Sequence, residues 1–326
     1  NGSGGIINNS SSAQTLNVPV VLSAAQTFYA AGDLAFNSSV RLAGNTLTVD
    51  GSANTSIGGL ISGTGGLTKN GGGVLTLPNA NVFSGTMNLA AGTLAVGNDS
   101  ALGTGQLNFG DGATIQSADS STHVITNALN FGSGAGGNNF FAGTGNLVFT
   151  RSASNGSDKT LTVNNQTEFS GVLSGAMART VAGTGTLIFS GANTYSHGTT
   201  INPGATLQLG NGGTNGSLST SGAIDDEGTL VFDRSDALVQ GTHFSSAPIT
   251  GYGSVVQAGS GTTTLTALNT ISGAIAVNNG ELFITPVYQG SGNVTVADGA
   301  SFGILASSMS NSATVGSLTL GSGGAT

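Results

Sequence analysis

Apolar residues along this chain come as short alternating triplets, Leu75-x-Leu77, Met87-x-Leu89 and Leu94-x-Val96 among them, separated by Gly, Asn, Ser and Pro. Alternation with period two over three to five residues, bounded by Gly and Asn, predicts short β-strands, and no window shows the i, i+3, i+4, i+7 spacing of a helix. The stretch from Leu77 to Val96 has room for three short strands in a unit of about 20 residues. That suits one coil of a solenoid whose strands pair with the coils before and after. The pattern therefore predicts an all-β chain in which inward residues, Leu75, Leu77, Leu89, Leu94, Leu187, Phe189, Ile201, Leu207, Leu265, Val277 and Leu282 among them, stack between coils and outward positions need only be small and β-tolerant.

Self-similarity supports the unit. Residues 63–96 align without a gap on residues 251–284, an offset of 188, with 11 of 34 positions identical, six of them glycines. Apolar positions follow, Phe83, Leu89 and Val96 being answered by Ile271, Val277 and Ile284. A third copy, residues 183–211, places Leu187 and Phe189 at the Leu75 and Leu77 positions and Tyr195 at Phe83, with one extra residue near His197 and another near Ala205. Length changes of that kind belong in turns. Glycines such as Gly85 and Gly92 are expected at positive φ, where Asn is the next best residue. Asn81, Asn193 and Asn269 recur at matching turns, where side-chain amides can bond from coil to coil.

Composition narrows the function. Only 6% of the 326 residues are charged, 56 are Gly, and there is no Cys or Trp; an ordinary globular domain carries about a quarter charged residues and about 7% Gly. A net charge of −8 with six scattered cations cannot neutralise a row of phosphates, which excludes nucleic acid as a partner. No stretch approaches the roughly 18 apolar residues of a membrane helix. The absence of Cys removes thiol catalysis, Cys-ligated zinc and disulfides, and fits export of an unfolded chain. At about 20 residues per coil and about 4.8 Å between coils, the sequence predicts roughly 16 coils and a stalk near 75 Å long.

The phrases Ile61-Ser62-Gly63-Thr64-Gly65-Gly66-Leu67-Thr68-Lys69, Leu187-Ile188-Phe189-Ser190-Gly191-Ala192-Asn193-Thr194-Tyr195 and Gly292-Asn293-Val294-Thr295-Val296-Ala297-Asp298-Gly299-Ala300 resemble the passenger-associated transport repeat, also called the autotransporter-associated β-strand repeat. The resemblance is clearest over 57–105 and 181–215, extends over 251–303, and is weak over 110–160 and over 1–50, the latter reading as N-terminal coils or a cap. It implies a right-handed parallel β-helix, here one solenoid over 1–326, exported through the outer membrane by type V secretion and displayed on the bacterial surface or secreted. The implied role is structural or adhesive, in adhesion, autoaggregation or biofilm. The partners expected are other copies of the protein and a host or matrix surface ligand, with the membrane anchor outside this chain.

Chemistry-bearing motifs are sparse. Gly132–Gly137 satisfies G-x-G-x-x-G, a match expected by chance in so glycine-rich a chain, and no P-loop Gly-Lys-Ser/Thr occurs. Gly299-Ala300-Ser301-Phe302-Gly303 matches the G-x-S-x-G elbow, which needs a strand, a sharp turn and a helix, yet it lies inside a repeat phrase. His123, His197 and His243 have no metal-ligand spacing, and His197 reads as an exposed turn residue. The acids cluster once, Asp225-Asp226-Glu227 followed by Asp233 and Asp236 around Arg234. A solvated turn is the favoured reading; the rival is a β-helix polysaccharide lyase or glycosidase using Asp225, Asp226 and Asp233, and a further alternative is a self-assembling subunit of an extracellular filament or sheath. Phe140-Phe141 puts one aromatic on each strand face, and the polar run 151–159 is expected to bulge as a loop where binding could reside. Catalytic, cofactor and metal residues are expected to be none. The strand pattern still runs at Leu318–Leu320, so the chain reads as a piece of something longer, open at that end.

Overall fold

The computed structural model describes residues 5–132, 134, 136–154, 156–305 and 312–321. Among them there is no helix, and every pairing between strands is parallel. The contacts divide the chain into two compact units, Asn1–Asn155 with Asn164–Thr167, and Gly156–Val163 with Glu168–Thr326. Each is a parallel β-solenoid.

In the first unit a coil carries three strands, as in Val74–Leu77, Val82–Phe83 and Met87–Leu89, after which Thr93–Val96 stacks on Val74–Leu77. One ladder runs through Gln26–Ala30, Leu47–Gly51, Leu67–Lys69, Met87–Leu89 and Leu107–Phe109. A second joins Leu34–Phe36, Thr55–Ile57, Val74–Leu77, Thr93–Val96 and Thr114–Ser117. A third, short ladder joins Val20–Val21, Val40–Arg41, Ile61–Gly63 and Val82–Phe83. In the second unit Thr186–Phe189, Thr206–Leu209, Thr229–Phe232, Ser254–Gln257 and Ile275–Val277 form one ladder, and Leu238–Val239, Thr262–Leu265, Glu281–Ile284 and Ser301–Ile304 another.

Register explains the sequence spacing. Val74 pairs with Thr93 across a short coil and Thr229 with Ser254 across a longer one, the surplus falling in turns. Like meets like: Leu75 stands on Leu94 and Leu94 on Ile115, while Leu187, Leu207, Leu230 and Val255 form a column in the second unit. All eleven inward residues named by the alternation, Leu75, Leu77, Leu89, Leu94, Leu187, Phe189, Ile201, Leu207, Leu265, Val277 and Leu282, are fully buried. Aromatic rings also pack across the core within a coil, Phe28 stacking on Phe36 at 4.4 Å between centroids and Phe141 meeting Phe149 edge-on at 5.7 Å.

The asparagines bond from coil to coil as their recurrence suggested, but without the positive φ that was also expected of them. None takes a positive φ among the described residues. Instead Asn81, Asn193 and Asn269 are buried and each Oδ1 accepts a backbone N–H from the preceding coil, from Ile61 at 2.8 Å, Leu173 at 2.8 Å and Ile249 at 2.7 Å. Gly92 does adopt the expected positive φ of 69°. Gly85 does not; a Cβ there would stand 2.3 Å from the Gly65 carbonyl oxygen of the preceding coil, so close stacking forbids a side chain.

Truncating either column leaves a void that parallel stacking cannot close. Leu94→Ala and Leu207→Ala should each cost about 2–5 kcal/mol, measured by chemical denaturation of the purified chain. Asn193→Ala, which strands the buried Leu173 N–H, should cost about 1–3 kcal/mol.

Candidate functional site

The acidic segment does not assemble a site. Asp225 and Asp226 lie side by side in the strand Ile224–Asp226 and so face opposite ways. Asp225 is exposed and accepts the Thr250 hydroxyl at 3.2 Å. Glu227 accepts the Tyr252 N–H at 3.3 Å, and Asp233 accepts the Gln208 amide at 3.0 Å. Asp236 is held by Arg234 through two bonds, Nε at 2.7 Å and an Nη at 2.8 Å, which keeps its carboxyl below the ordinary range. Among the described residues no three His or acidic side chains are grouped to hold a metal ion.

Asp226 overturns the solvated-turn reading for its own position. It is fully buried, stacked on Ile201, with one carboxyl oxygen accepting the Gly228 N–H at 3.0 Å and the other accepting nothing. Burial, with Glu227 and Asp225 adding like charge, pushes its pKa up to about 7.

Buried charge is a general feature. Of the six Lys and Arg residues, Lys69, Lys159, Arg179 and Arg234 are buried. Lys69 donates to the Gly71 and Ala91 carbonyls, and burial lowers its pKa to about 8 against the opposing pull of Asp50. Gln257, at the position matching Lys69 in the later repeat copy, takes the same role, its amide donating to Gly259 at 2.8 Å and Gly261 at 3.1 Å. Arg179 sits over the Tyr195 ring at 6.0 Å, with a pKa lowered to about 10 by burial. Lys159, expected in a loop, opens the strand Lys159–Val163 with its side chain inside, and Ala153–Ser154 is itself a strand.

The remaining motifs resolve as structure. Ser301 begins the strand Ser301–Ile304, where an elbow would need the turn into a helix; Ala306–Met309 lie outside the described residues. Gly137 begins the strand Gly137–Ala142, and Ser133 and Ala135 of that motif also lie outside them. Phe141 is buried and Phe140 half-buried. His197 is exposed, as expected of a turn. His123 is buried, its ring nitrogens 3.6 Å from Asp99 and 3.1 Å from Asp119.

One outer face of the first unit combines exposed valines with exposed arginine. Along the short ladder the outward residues are Val21, Arg41, Ser62 and Val82, in register. Val21 and Val82 are both 60% exposed, and Val18 and Leu60, leading into the same strands, are exposed too. Beyond Val82 a groove of about 390 Å³ is lined by Ala80, Ser100, Thr104, Thr126 and Arg151. The Arg151 Nε donates to the Thr126 carbonyl at 3.3 Å. Arg41 and Arg151 are exposed and are the two cations left after the buried four.

With three repeats laid out in stacked coils, comparison with known proteins is direct. The passenger-associated transport repeat model matches residues 67–96, 180–209 and 255–282. The chain carries passenger-associated transport repeats. The matches fall in the stretches 57–105, 181–215 and 251–303 where the sequence resembled this repeat, the second beginning one residue earlier, while the phrase Gly292–Ala300 lies beyond the third match. Over 245 residues, 73% of the chain, it is 33% identical to the adhesin BmaC autotransporter of Brucella suis biovar 1 (strain 1330), and spans 6% of that protein's length. No solved structure matches. No helix among the described residues is long and apolar enough to cross a membrane.

Asp226 makes a pH prediction. Its folded pKa lies above the ordinary carboxylate value, so below about pH 4 both states are protonated and nothing is lost. As pH rises from about 4 to about 7 the unfolded chain ionises while the folded carboxyl stays protonated, so stability falls across that window and levels off above about 7, where both states are ionised. Asp226→Asn should therefore raise the melting temperature at about pH 8 and converge with the parent near pH 4, read by thermal unfolding across pH. Asp225→Asn should change neither.

Proposed function

We propose that this chain is a stretch of the passenger of a bacterial surface adhesin, exported through the outer membrane, that provides scaffold and contact faces and performs no chemistry. The observation that carries this reading is the threefold transport repeat in a parallel solenoid whose sequence is similar to part of an autotransporter adhesin. The chain's own residues agree with it. The acids of segment 225–236 bond to separate partners on different faces, whereas glycosidases need two carboxyls flanking one bond about 5–10 Å apart. Without Cys, the chain passes through an exporter as a thread with no disulfide to block it, and a solenoid can add coils one at a time as they emerge.

Fused to a translocator and displayed on a non-adherent bacterium, the chain should increase retention on protein-coated surfaces, or clumping, above cells bearing the translocator alone. Release of sugar fragments from a panel of acidic and neutral polysaccharides should stay at background. Surface display with no gain in either retention or clumping, or fragment release abolished by Asp225→Asn, would overturn the reading.

A further inference from the structure

We propose that the valine–arginine face of the first unit is the docking surface for an extended acidic peptide segment of a partner protein. The inference rests on the adhesive reading above and names the chemistry of its ligand.

Charge is the first argument. In a chain of net charge −8, four of six cations are withdrawn into the interior, and the two left outside, Arg41 and Arg151, both border this one face. Asp99, the neighbour of Ser100 in the groove lining, is already engaged by the Val124 N–H at 3.0 Å and by His123. The face is thus the cationic exception on an acidic surface, and an anionic partner is repelled elsewhere and attracted here.

Apolar exposure is the second. Val21 and Val82 stand 60% exposed on either side of Arg41 in the ladder, so the ligand carries apolar side chains between its charges. Spacing gives the third. Arg151 leans back to the Thr126 carbonyl, leaving roughly four coil steps to Arg41, about 19 Å at about 4.8 Å per coil; an extended peptide covers that in about six residues, and side chains six apart share a face. A partner with two carboxylates so spaced and an apolar residue between them fits both arginines and the exposed valine. Two cations fall short of the roughly four to eight basic residues that mark an anionic membrane site. No aromatic ring lines the groove to stack on a sugar.

The test is fluorescence anisotropy with the whole 326-residue chain and a labelled peptide about ten residues long that carries two glutamates six residues apart, valines two and four residues after the first glutamate so that they share its face, and serines elsewhere. Binding is expected at low salt, weakening in high salt. Arg41→Glu and Arg151→Glu should each reduce affinity about fivefold or more, as loss of an ion pair of about 1 kcal/mol does. Arg41→Gln and Arg151→Gln should do so less strongly, with melting temperatures unchanged. Tyr252→Ser, at the most exposed aromatic of the second unit, should leave binding intact. Equal binding of the same peptide with both glutamates replaced by lysine, indifference to both arginine substitutions, or tighter binding of a polyuronate or of anionic lipid vesicles would overturn the proposal. Cells displaying the chain could still adhere in that event, so failure of this face and failure of the adhesive reading are separable.

Discussion

Each strand in this protein hydrogen-bonds only to its counterparts one coil earlier and one coil later, so every inward side chain rests on the inward side chain of the next coil. This parallel stacking sets the terms for everything else. It makes the core a set of columns in which Leu sits on Leu and Phe on Phe, and it brings adjacent backbones close enough that Gly85 has no room for a Cβ. Surplus residues have one place to go, the turns, which is why coil length varies while the columns keep register.

A core built this way has a second requirement, because each turn leaves carbonyl and N–H groups facing inward and burial without partners costs about 1–3 kcal/mol each. The chain meets it with interior polar side chains. Asparagine amides bridge coils, and Lys69 and Gln257, at matching positions, cap turn carbonyls. Arg234 ties Asp236 to the Gly216 carbonyl. Most of the cations are therefore structural, and the little charge left outside acquires meaning from its position.

That distribution connects the fold to the proposed role. Outward positions are mostly Thr, Ser and Asn, which suit a hydrated scaffold. The amphipathic face running from Val21 to Arg151 is where the first unit sets exposed valines beside its exposed arginines.

The sequence by itself determined the strands, their inward residues and the coil length, because a period of two combined with a short, regularly recurring unit admits few other packings. The eleven predicted core residues are buried for that reason, and the repeat phrases of 57–105, 181–215 and 251–303 carried the family. It did not reveal which charged residues turn inward, although parity contained the signal: Leu67-x-Lys69, Lys159-x-Leu161 and Ile224-x-Asp226 all place the ion in phase with a buried neighbour. Composition argued the other way, since charge is ordinarily kept in water, and only the coil above and below each ion, with its open carbonyls and N–H groups, decided that it stays inside. The valine–arginine face was equally hidden in the chain. Val21, Arg41, Val82 and Arg151 belong to coils far apart in the sequence, and stacking at one coil per step is what lays them along a single surface.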